Sequence, residues 1–233
     1  MAQRGICSRR EADEFIERGW VYVDGVQAIT LGIKVEDSQR VRLDRRAVSH
    51  QKRLATVILN KPIGVVSSAS AKGYPMAASL ITRENWQRSQ NIKASRSTLP
   101  RGLAPAGRLD IDSQGLLVLT QDGRIARQLI SPSSIIEKEY LVRVRGQLTK
   151  SKLGKLRFGL SLDGKALRRA KVLKLSESQL RIVLTEGRKR QIRRMCQLVG
   201  LEVTSLKRVR IGDIRLKRLP SGKWRYLESN EHF

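Results

Sequence analysis

The chain has 233 residues, with 47 Lys and Arg against 21 Asp and Glu, so its formal net charge is +26. A positive field of that size attracts phosphate backbones, and the expected partner is therefore a nucleic acid. No run approaches the roughly 20 apolar residues of a membrane-spanning helix, and the charged first twenty residues exclude a secretory signal. We expect a cytoplasmic monomer with no membrane partner, built from a small domain and a medium one.

The first 44 residues predict a small αβ module. Residues 1–50 carry 9 basic and 8 acidic side chains, so almost all of the charge excess lies later in the chain. Ser8 and Glu11 form a capping-box pattern at the start of a helix that ends at Gly19. Residues 21–23 predict a strand, and two more short strands are expected from the spacing of Ile33, Val35, Val41 and Leu43.

A second unit follows a polar stretch at residues 45–54, which predicts a linker. Residues 55–60 have the composition of a buried strand, and residues 61–64 predict a turn in which Lys61 has no chemical role. From residue 67 to residue 105 the periodicity is lost, and six basic residues accompany a single acidic one. This segment, 67–105, predicts a basic insertion, part of which orders only on RNA.

A carboxylate follows in the motif Gly107-Arg108-Leu109-Asp110, just before an apolar run at residues 116–119. The pattern places Asp110 on a turn before a buried strand, with Arg108 two residues away. In so basic a chain, an acid held at such a junction is a candidate for chemistry on a polyanion. An isolated Asp would more often close an Asx turn, and Arg108 is equally suited to bind a carbonyl or a phosphate.

The remaining elements predict an α+β fold. Helices are expected over residues 123–129, 153–160 and 191–199, and strands over 139–144, 172–175, 180–184 and 203–211. Because this order is not a repeating βαβ series, the small αβ module should precede a domain built on a mixed, largely antiparallel sheet. A basic run opens the last helix, where phosphate contact is favoured over a solvated face; it consists of Arg188, Lys189, Arg190, Arg193 and Arg194.

The cysteines and histidines exclude several mechanisms. Cys7 and Cys196 lack the paired spacing of a zinc site, and two cysteines do not form a disulfide framework. His50 lies in a polar stretch and His232 is the penultimate residue, so neither is expected to act as a base or as a metal ligand. Acid or base chemistry is left to carboxylates, Tyr, Lys or Arg, and no metal is expected.

Three motifs follow one another along the chain: residues 107–110 with the following strand, residues 138–142, and Glu186-Gly187 with residues 190–195. Together and in this order they resemble the RsuA/RluB/RluE/RluF family of ribosomal RNA pseudouridine synthases. The resemblance covers residues 55–228 and identifies 55–233 as the catalytic domain. Residues 1–44 are similar to an S4 RNA-binding domain whose N-terminal helix is truncated. Within the family the chain is most similar to the RluF subgroup, which acts on 23S ribosomal RNA.

The resemblance implies specific roles for three residues in the isomerisation of uridine to pseudouridine. Asp110 would carry the reaction, Tyr140 would stack against the target base, and Arg193 would pair with Asp110. No cofactor is needed for an isomerisation. The expected partner is ribosomal RNA, with 23S favoured, or transfer RNA, or an assembling ribosomal subunit. The expected RNA-binding residues are Arg9, Arg10, Arg108, Arg188, Lys189, Arg190 and Arg194.

Two other functions are compatible with the charge and the motifs. A non-catalytic RNA-binding or ribosome-assembly protein would use the S4-like module equally well. A DNA-binding regulator would place the helix at residues 191–199 in a groove and would give Asp110 no role. Seen alone, Tyr140 in an alternating strand would more often be core packing than a catalytic group.

Overall fold

The computed structural model describes residues 1–68, 73–88 and 99–233. The helices of these residues are α1 (Arg9–Glu17), α2 (Arg45–Arg53), α3 (Gly123–Ile130), α4 (Lys150–Arg157) and α5 (Gln191–Leu198). The strands are β1 (Val21–Val23), β2 (Val26–Gln27), β3 (Val41–Leu43), β4 (Thr56–Lys61), β5 (Ala104–Pro105), β6 (Gln114–Thr120), β7 (Lys138–Arg145), β8 (Ser161–Leu162), β9 (Lys165–Ala166), β10 (Lys171–Ser176), β11 (Gln179–Leu184), β12 (Glu202–Ile211), β13 (Ile214–Arg215) and β14 (Trp224–Tyr226).

The N-terminal module packs α1 and α2 against an antiparallel sheet of order β2-β1-β3. The capping box is confirmed, because the Glu11 amide donates to Ser8 Oγ at 3.2 Å and the Ser8 amide donates to Glu11 Oε2 at 2.9 Å. Phe15 of α1 is fully buried in the core of the module. The strand expected around residues 33–35 is wrong; that segment is irregular, and the hairpin partner of β1 is β2 instead.

The segment expected to be a linker is largely helical. Asp44 caps α2 by accepting a hydrogen bond from the Arg46 amide at 2.8 Å. The side chain of Gln51 donates to Ile6 O at 2.9 Å and accepts from Arg124 Nη1 of α3 at 3.0 Å. Helix α2 therefore contacts both the N-terminal module and helix α3 of the following unit. Domain boundaries at residues 44 and 55 stay a prediction.

Nine strands of the described residues form the large sheet, in the order β10-β11-β7-β12-β6-β4-β14, with β13 on β12 and β5 on β6. The β6–β12 pair is parallel and the other pairs are antiparallel, which confirms the predicted α+β class with a mixed, largely antiparallel sheet. Gly115 permits the parallel pair to close. It has φ +108°, and a Cβ there would lie 2.2 Å from the carbonyl oxygen of Arg208.

Both faces of the sheet are covered at β4 and β6, where nearly every residue is buried, whereas β7 and β10 have exposed residues. One face carries the larger core, which includes Leu117, Val142 and Leu180. The other face packs α3 and residues near the C-terminus around Ile58 and Val118. Helix α4 begins three residues before the predicted start because Thr149 caps it, accepting from the Lys152 amide at 3.2 Å.

Part of the basic insertion packs on the sheet. Residues 73–88 include a short 3-10 helix, Ala77–Leu80, and Trp86 stacks on Trp224 of β14 with ring centroids 5.6 Å apart. Part of segment 67–105 is expected to order only on RNA. Residues 69–72 and 89–98 of that segment lie outside the described residues. Across the described ranges, none of the helices combines the length and apolar character needed to cross a membrane.

Candidate active site

Asp110 lies on a turn that joins β5 to β6 and is tied to the loop after β4. Ser67, which is buried, holds the turn by donating to Leu109 O and accepting from the Leu109 amide, both at 2.8 Å. The Gly64 amide donates to Ile111 O at 2.9 Å, and the Ser113 amide donates to Asp110 O at 3.0 Å. These main-chain bonds fix the turn from both sides. The carboxylate of Asp110 is half-buried and accepts no hydrogen bond from any described residue.

A cavity of about 800 Å³ opens in front of Asp110. Tyr140 of β7 also lines it and is 8 % exposed. The second acid of the lining, Glu186, is occupied by hydrogen bonds from Gln191 Nε2 at 2.9 Å and from the Arg168 amide at 3.1 Å. Among the described lining residues, seven are basic: Arg108, Lys138, Arg168, Arg188, Lys189, Arg190 and Arg208. The cavity is therefore suited to an anionic ligand of nucleotide size.

The predicted pair of Arg193 with Asp110 is wrong, because Arg193 contacts Asp112 instead. Its Nη2 donates to Asp112 O at 2.9 Å, and its Nε lies 3.2 Å from Asp112 Oδ2 without the alignment of a hydrogen bond. Its Nη1 donates to Val203 O of β12 at 3.0 Å, which anchors the guanidinium on the sheet. Arg193 thus connects α5, β12 and the turn, two residues beyond the acid that sequence reasoning chose.

Asp112 also binds the guanidinium of Arg190. Arg190 Nη2 donates to Asp112 Oδ2 at 3.0 Å. Partial burial raises the pKa of the Asp112 carboxyl, but the hydrogen bond from Arg190 and the charges of Arg193 and Arg190 outweigh burial and lower the pKa below its ordinary value. The ionised Asp112 therefore joins the basic run of α5 to the turn of Asp110. Sequence reasoning gave Asp112 no role, although its place two residues after Asp110 was visible.

Lys61 is the second residue near the acid that sequence reasoning missed. It is fully buried at the end of β4, and its Nζ donates to Pro62 O at 2.8 Å and to Val65 O at 2.7 Å. Burial lowers the pKa of Lys61 to about 8, against the opposing charges of Asp110 and Asp112. The turn predicted at residues 61–64 is present at Ile63 and Gly64, but Lys61 itself belongs to the buried end of β4. An ammonium group directly after an apolar run was the available signal.

Arg208 was also missed, and it lies beside Tyr140. The two residues are partners in the β7–β12 ladder, and the Arg208 guanidinium lies 6.0 Å from the centre of the Tyr140 ring. Its Nε donates to Leu116 O at 2.7 Å, and its Nη1 donates to Arg108 O at 3.3 Å. The alternation of buried Leu206 and Arg208 on one face of β12 could have placed it inward.

The predicted RNA-binding residues divide into two groups. Arg188 is engaged by the protein, since its guanidinium donates to the carbonyls of Leu162, Lys165 and Ala166 at 2.6 to 2.9 Å. Arg194 forms hydrogen bonds to Asp163 at 2.6 and 2.9 Å. The other group is exposed: Arg108 and Lys189 at the cavity, Arg190, which also donates to Asp112, and Arg9 and Arg10 on α1.

Comparison with known proteins gives consistent matches over nearly the whole chain. The family model described as RNA pseudouridylate synthase matches residues 55–198. The dual-specificity RNA pseudouridine synthase RluF of Escherichia coli strain K12 is 35 % identical over 233 residues, covering 99 % of this chain and 74 % of the relative. Ribosomal large subunit pseudouridine synthase B of Bacillus subtilis strain 168 is 34 % identical, with 99 % and 91 % covered.

The fold is similar to a solved structure. A crystal structure of a pseudouridylate synthase aligns with a TM-score of 0.65 at 24 % identity, covering 97 % of this chain and 93 % of that one. At this identity the similarity concerns the fold.

Proposed function

Since the chain belongs to the RNA pseudouridylate synthase family, we propose that it isomerises specific uridines in ribosomal RNA, with 23S favoured, and that Asp110 is the catalytic residue. One observation carries the assignment to Asp110. Its carboxylate accepts no hydrogen bond from the described residues, yet it lies in a cavity whose other charged groups are almost all basic. An acid that no described residue binds at such a place is available to a substrate.

The reaction exchanges one bond for another without a net change in composition. The bond between uracil N1 and ribose C1′ breaks, the base turns, a bond forms between C1′ and C5, the C5 proton leaves, and N1 gains a proton. Asp110 would attack or deprotonate the sugar, or add to the base; the three routes stay open. Each requires the carboxylate to reach an extruded nucleoside.

Tyr140 is proposed to receive the extruded base. Taking a uridine out of its stack costs roughly a few kcal/mol, and stacking on an aromatic ring returns about 1–3 kcal/mol per base. The position of Tyr140 in the lining of the Asp110 cavity supports this role. The phosphates on either side of the uridine would contact the exposed Arg108, Lys189 and Arg190.

Arg193 is proposed as a positioning residue. Since its guanidinium binds Asp112 and Val203 O, its effect on Asp110 would pass through the turn. Arg9 and Arg10 would extend the RNA contact onto the N-terminal module, which we propose to be S4-like. Free ribosomal RNA, transfer RNA and an assembling subunit are the candidate partners, for a monomer in the cytoplasm.

The test measures isomerisation and binding separately. Ribosomal RNA transcribed with uridine tritiated at C5 should release tritium with the wild-type protein, and reverse-transcription mapping should locate the product. Asp110→Asn should abolish release, a loss of at least about 10³-fold, while RNA affinity stays within about threefold of wild type. Asp163→Asn, which alters an exposed acid at the Arg194 pair, is the matched control and should retain activity. RNA binding by the wild type without tritium release would favour a non-catalytic RNA-binding or assembly protein.

A further inference from the structure

Arg208 has a hydrogen-bond donor that no described residue accepts. The side chain is buried, with the residue 4 % exposed, and Nε and Nη1 bind the carbonyls of Leu116 and Arg108. Its Nη2 is buried and has no acceptor among the described residues. Leaving a buried N–H of a charged group unpaired is unfavourable, so such a group requires an explanation.

The location of Arg208 supplies that explanation. It lines the same cavity as Asp110 and Tyr140. Because Arg208 and Tyr140 are cross-strand partners, their side chains lie on the same face of the sheet. The Arg208 guanidinium lies over the Tyr140 ring, 6.0 Å from the ring centre. A base that stacks on that ring would bring the oxygens on its edge close to the guanidinium.

The buried position favours a base over a phosphate as the acceptor. The cationic groups that a phosphate can reach without desolvation lie at the exposed positions Arg108, Lys189 and Arg190. Arg208 is below the surface and its remaining donors are committed to main-chain oxygens. A neutral carbonyl oxygen enters such a site with less loss of hydration than a phosphate.

We propose that Arg208 recognises the extruded uridine by donating a hydrogen bond from Nη2 to a carbonyl oxygen of the uracil ring. This inference rests on the proposed function of the cavity. Because Nη1 of the same guanidinium holds the carbonyl of Arg108 in the Asp110 turn, base recognition and acid placement share one side chain. Removing it should therefore slow the chemical step more than it weakens RNA binding.

The experiment compares Arg208→Gln with Arg210→Gln. Arg210 lies two residues along the same strand, and its guanidinium is fully bound to Glu137, Glu139 and Gly212 O. The substrate is a ribosomal RNA fragment that contains the uridine mapped for the wild type. Under single turnover at saturating protein, Arg208→Gln should be slower by about ten- to a hundredfold, the range for a lost charge-assisted hydrogen bond. Arg210→Gln should stay within about threefold.

Thio-substituted substrates identify the acceptor atom. Sulfur is a weak acceptor, so either 2-thiouridine or 4-thiouridine at the target should slow the wild type by about tenfold, and the same substitution should have no further effect on Arg208→Lys or Arg208→Gln. This measurement on the wild type remains decisive if the variants do not fold. Equal wild-type rates for uridine and both thio substrates would overturn the proposal.

Two other outcomes would also overturn it. Activity of Arg208→Gln equal to that of Arg210→Gln would leave no role in recognition. The slope of log RNA affinity against log salt concentration falls by about 0.7 when one phosphate contact on a single strand is lost. A fall of that size in Arg208→Gln would assign Arg208 to the phosphate backbone of the RNA instead. If Asp110→Asn abolishes tritium release while these tests fail, only the inference on Arg208 is lost; without wild-type release the proposed function fails as well.

Discussion

Replacing Gly115 by alanine should destabilise the protein through the parallel contact between β6 and β12. A side chain at φ +108° carries a backbone strain of about 1–3 kcal/mol. The new Cβ would also lie 2.2 Å from Arg208 O and 2.8 Å from Arg208 N, well inside contact distance, so the strands would have to separate. Overpacking of this kind costs about 1–3 kcal/mol. Together the two effects amount to about 2–6 kcal/mol of the roughly 5–15 kcal/mol that stabilise a typical fold.

Urea unfolding followed by circular dichroism measures this effect. With a slope of about 2–3 kcal/mol per molar urea, Gly115→Ala should lower the midpoint by about 0.7–3 M. Gly154→Ala is the matched control, because Gly154 lies in α4 at an ordinary φ, with nothing within 4 Å of the added Cβ. The control should gain about 0.5–1 kcal/mol of helix stability. Equal midpoints for Gly115→Ala and the wild type would refute the argument that the close approach of the two strands requires glycine.

Three further predictions concern the charged groups of the site. The pKa of Lys61 is about 8 in the folded state against an ordinary 10.5, so the stability of the wild type should rise with pH between these two values. Urea titrations of Lys61→Met should not show this rise. Parallel pH profiles of the two proteins would contradict the burial of an ammonium group. The pKa of Asp112 is lowered from its ordinary 3.8, so the advantage of the wild type over Asp112→Asn should be full above pH 3.8 and vanish as pH falls below it, measured by thermal unfolding. Lys189→Gln should weaken RNA binding and reduce its salt dependence, with little change in stability. Arg188→Gln removes hydrogen bonds to three carbonyls and should mainly lower the unfolding temperature. The reverse pattern would show that Arg188 binds RNA and that Lys189 stabilises the fold.

Local chemistry in the sequence predicted several elements well. The capping box of α1 is formed within four residues, so no distant contact is needed to recognise it. The apolar runs inside β4 (residues 57–59) and β6 (residues 116–119) are buried on both faces of the sheet, which made their pattern unambiguous. Helix α2 was missed because its buried face consists of Ala47 and Gln51. A glutamine that bridges Ile6 and Arg124 leaves no apolar period to detect.

The candidate site was predicted in its location but not in its pairing. The motif identified the turn of Asp110, whereas the contact of Arg193 with Asp112 depends on where Val203 O anchors the guanidinium. A shift of two residues along a turn cannot be resolved from spacing. Lys61 and Arg208 were missed for a related reason: a charge in a strand predicts exposure, and only tertiary structure shows that main-chain carbonyls compensate it.

The stacked pair of Trp86 and Trp224 gives the protein an optical signature. The chain has three tryptophans, and two of them lie nearly parallel, with an angle of 9° between their rings. Trp86 belongs to the segment that precedes residues 89–98, and Trp224 belongs to the edge strand of the large sheet. Contact between the two indoles should make the tryptophan fluorescence, excited at wavelengths that a polynucleotide does not absorb, sensitive to any displacement of residues 73–88 when a polynucleotide is added.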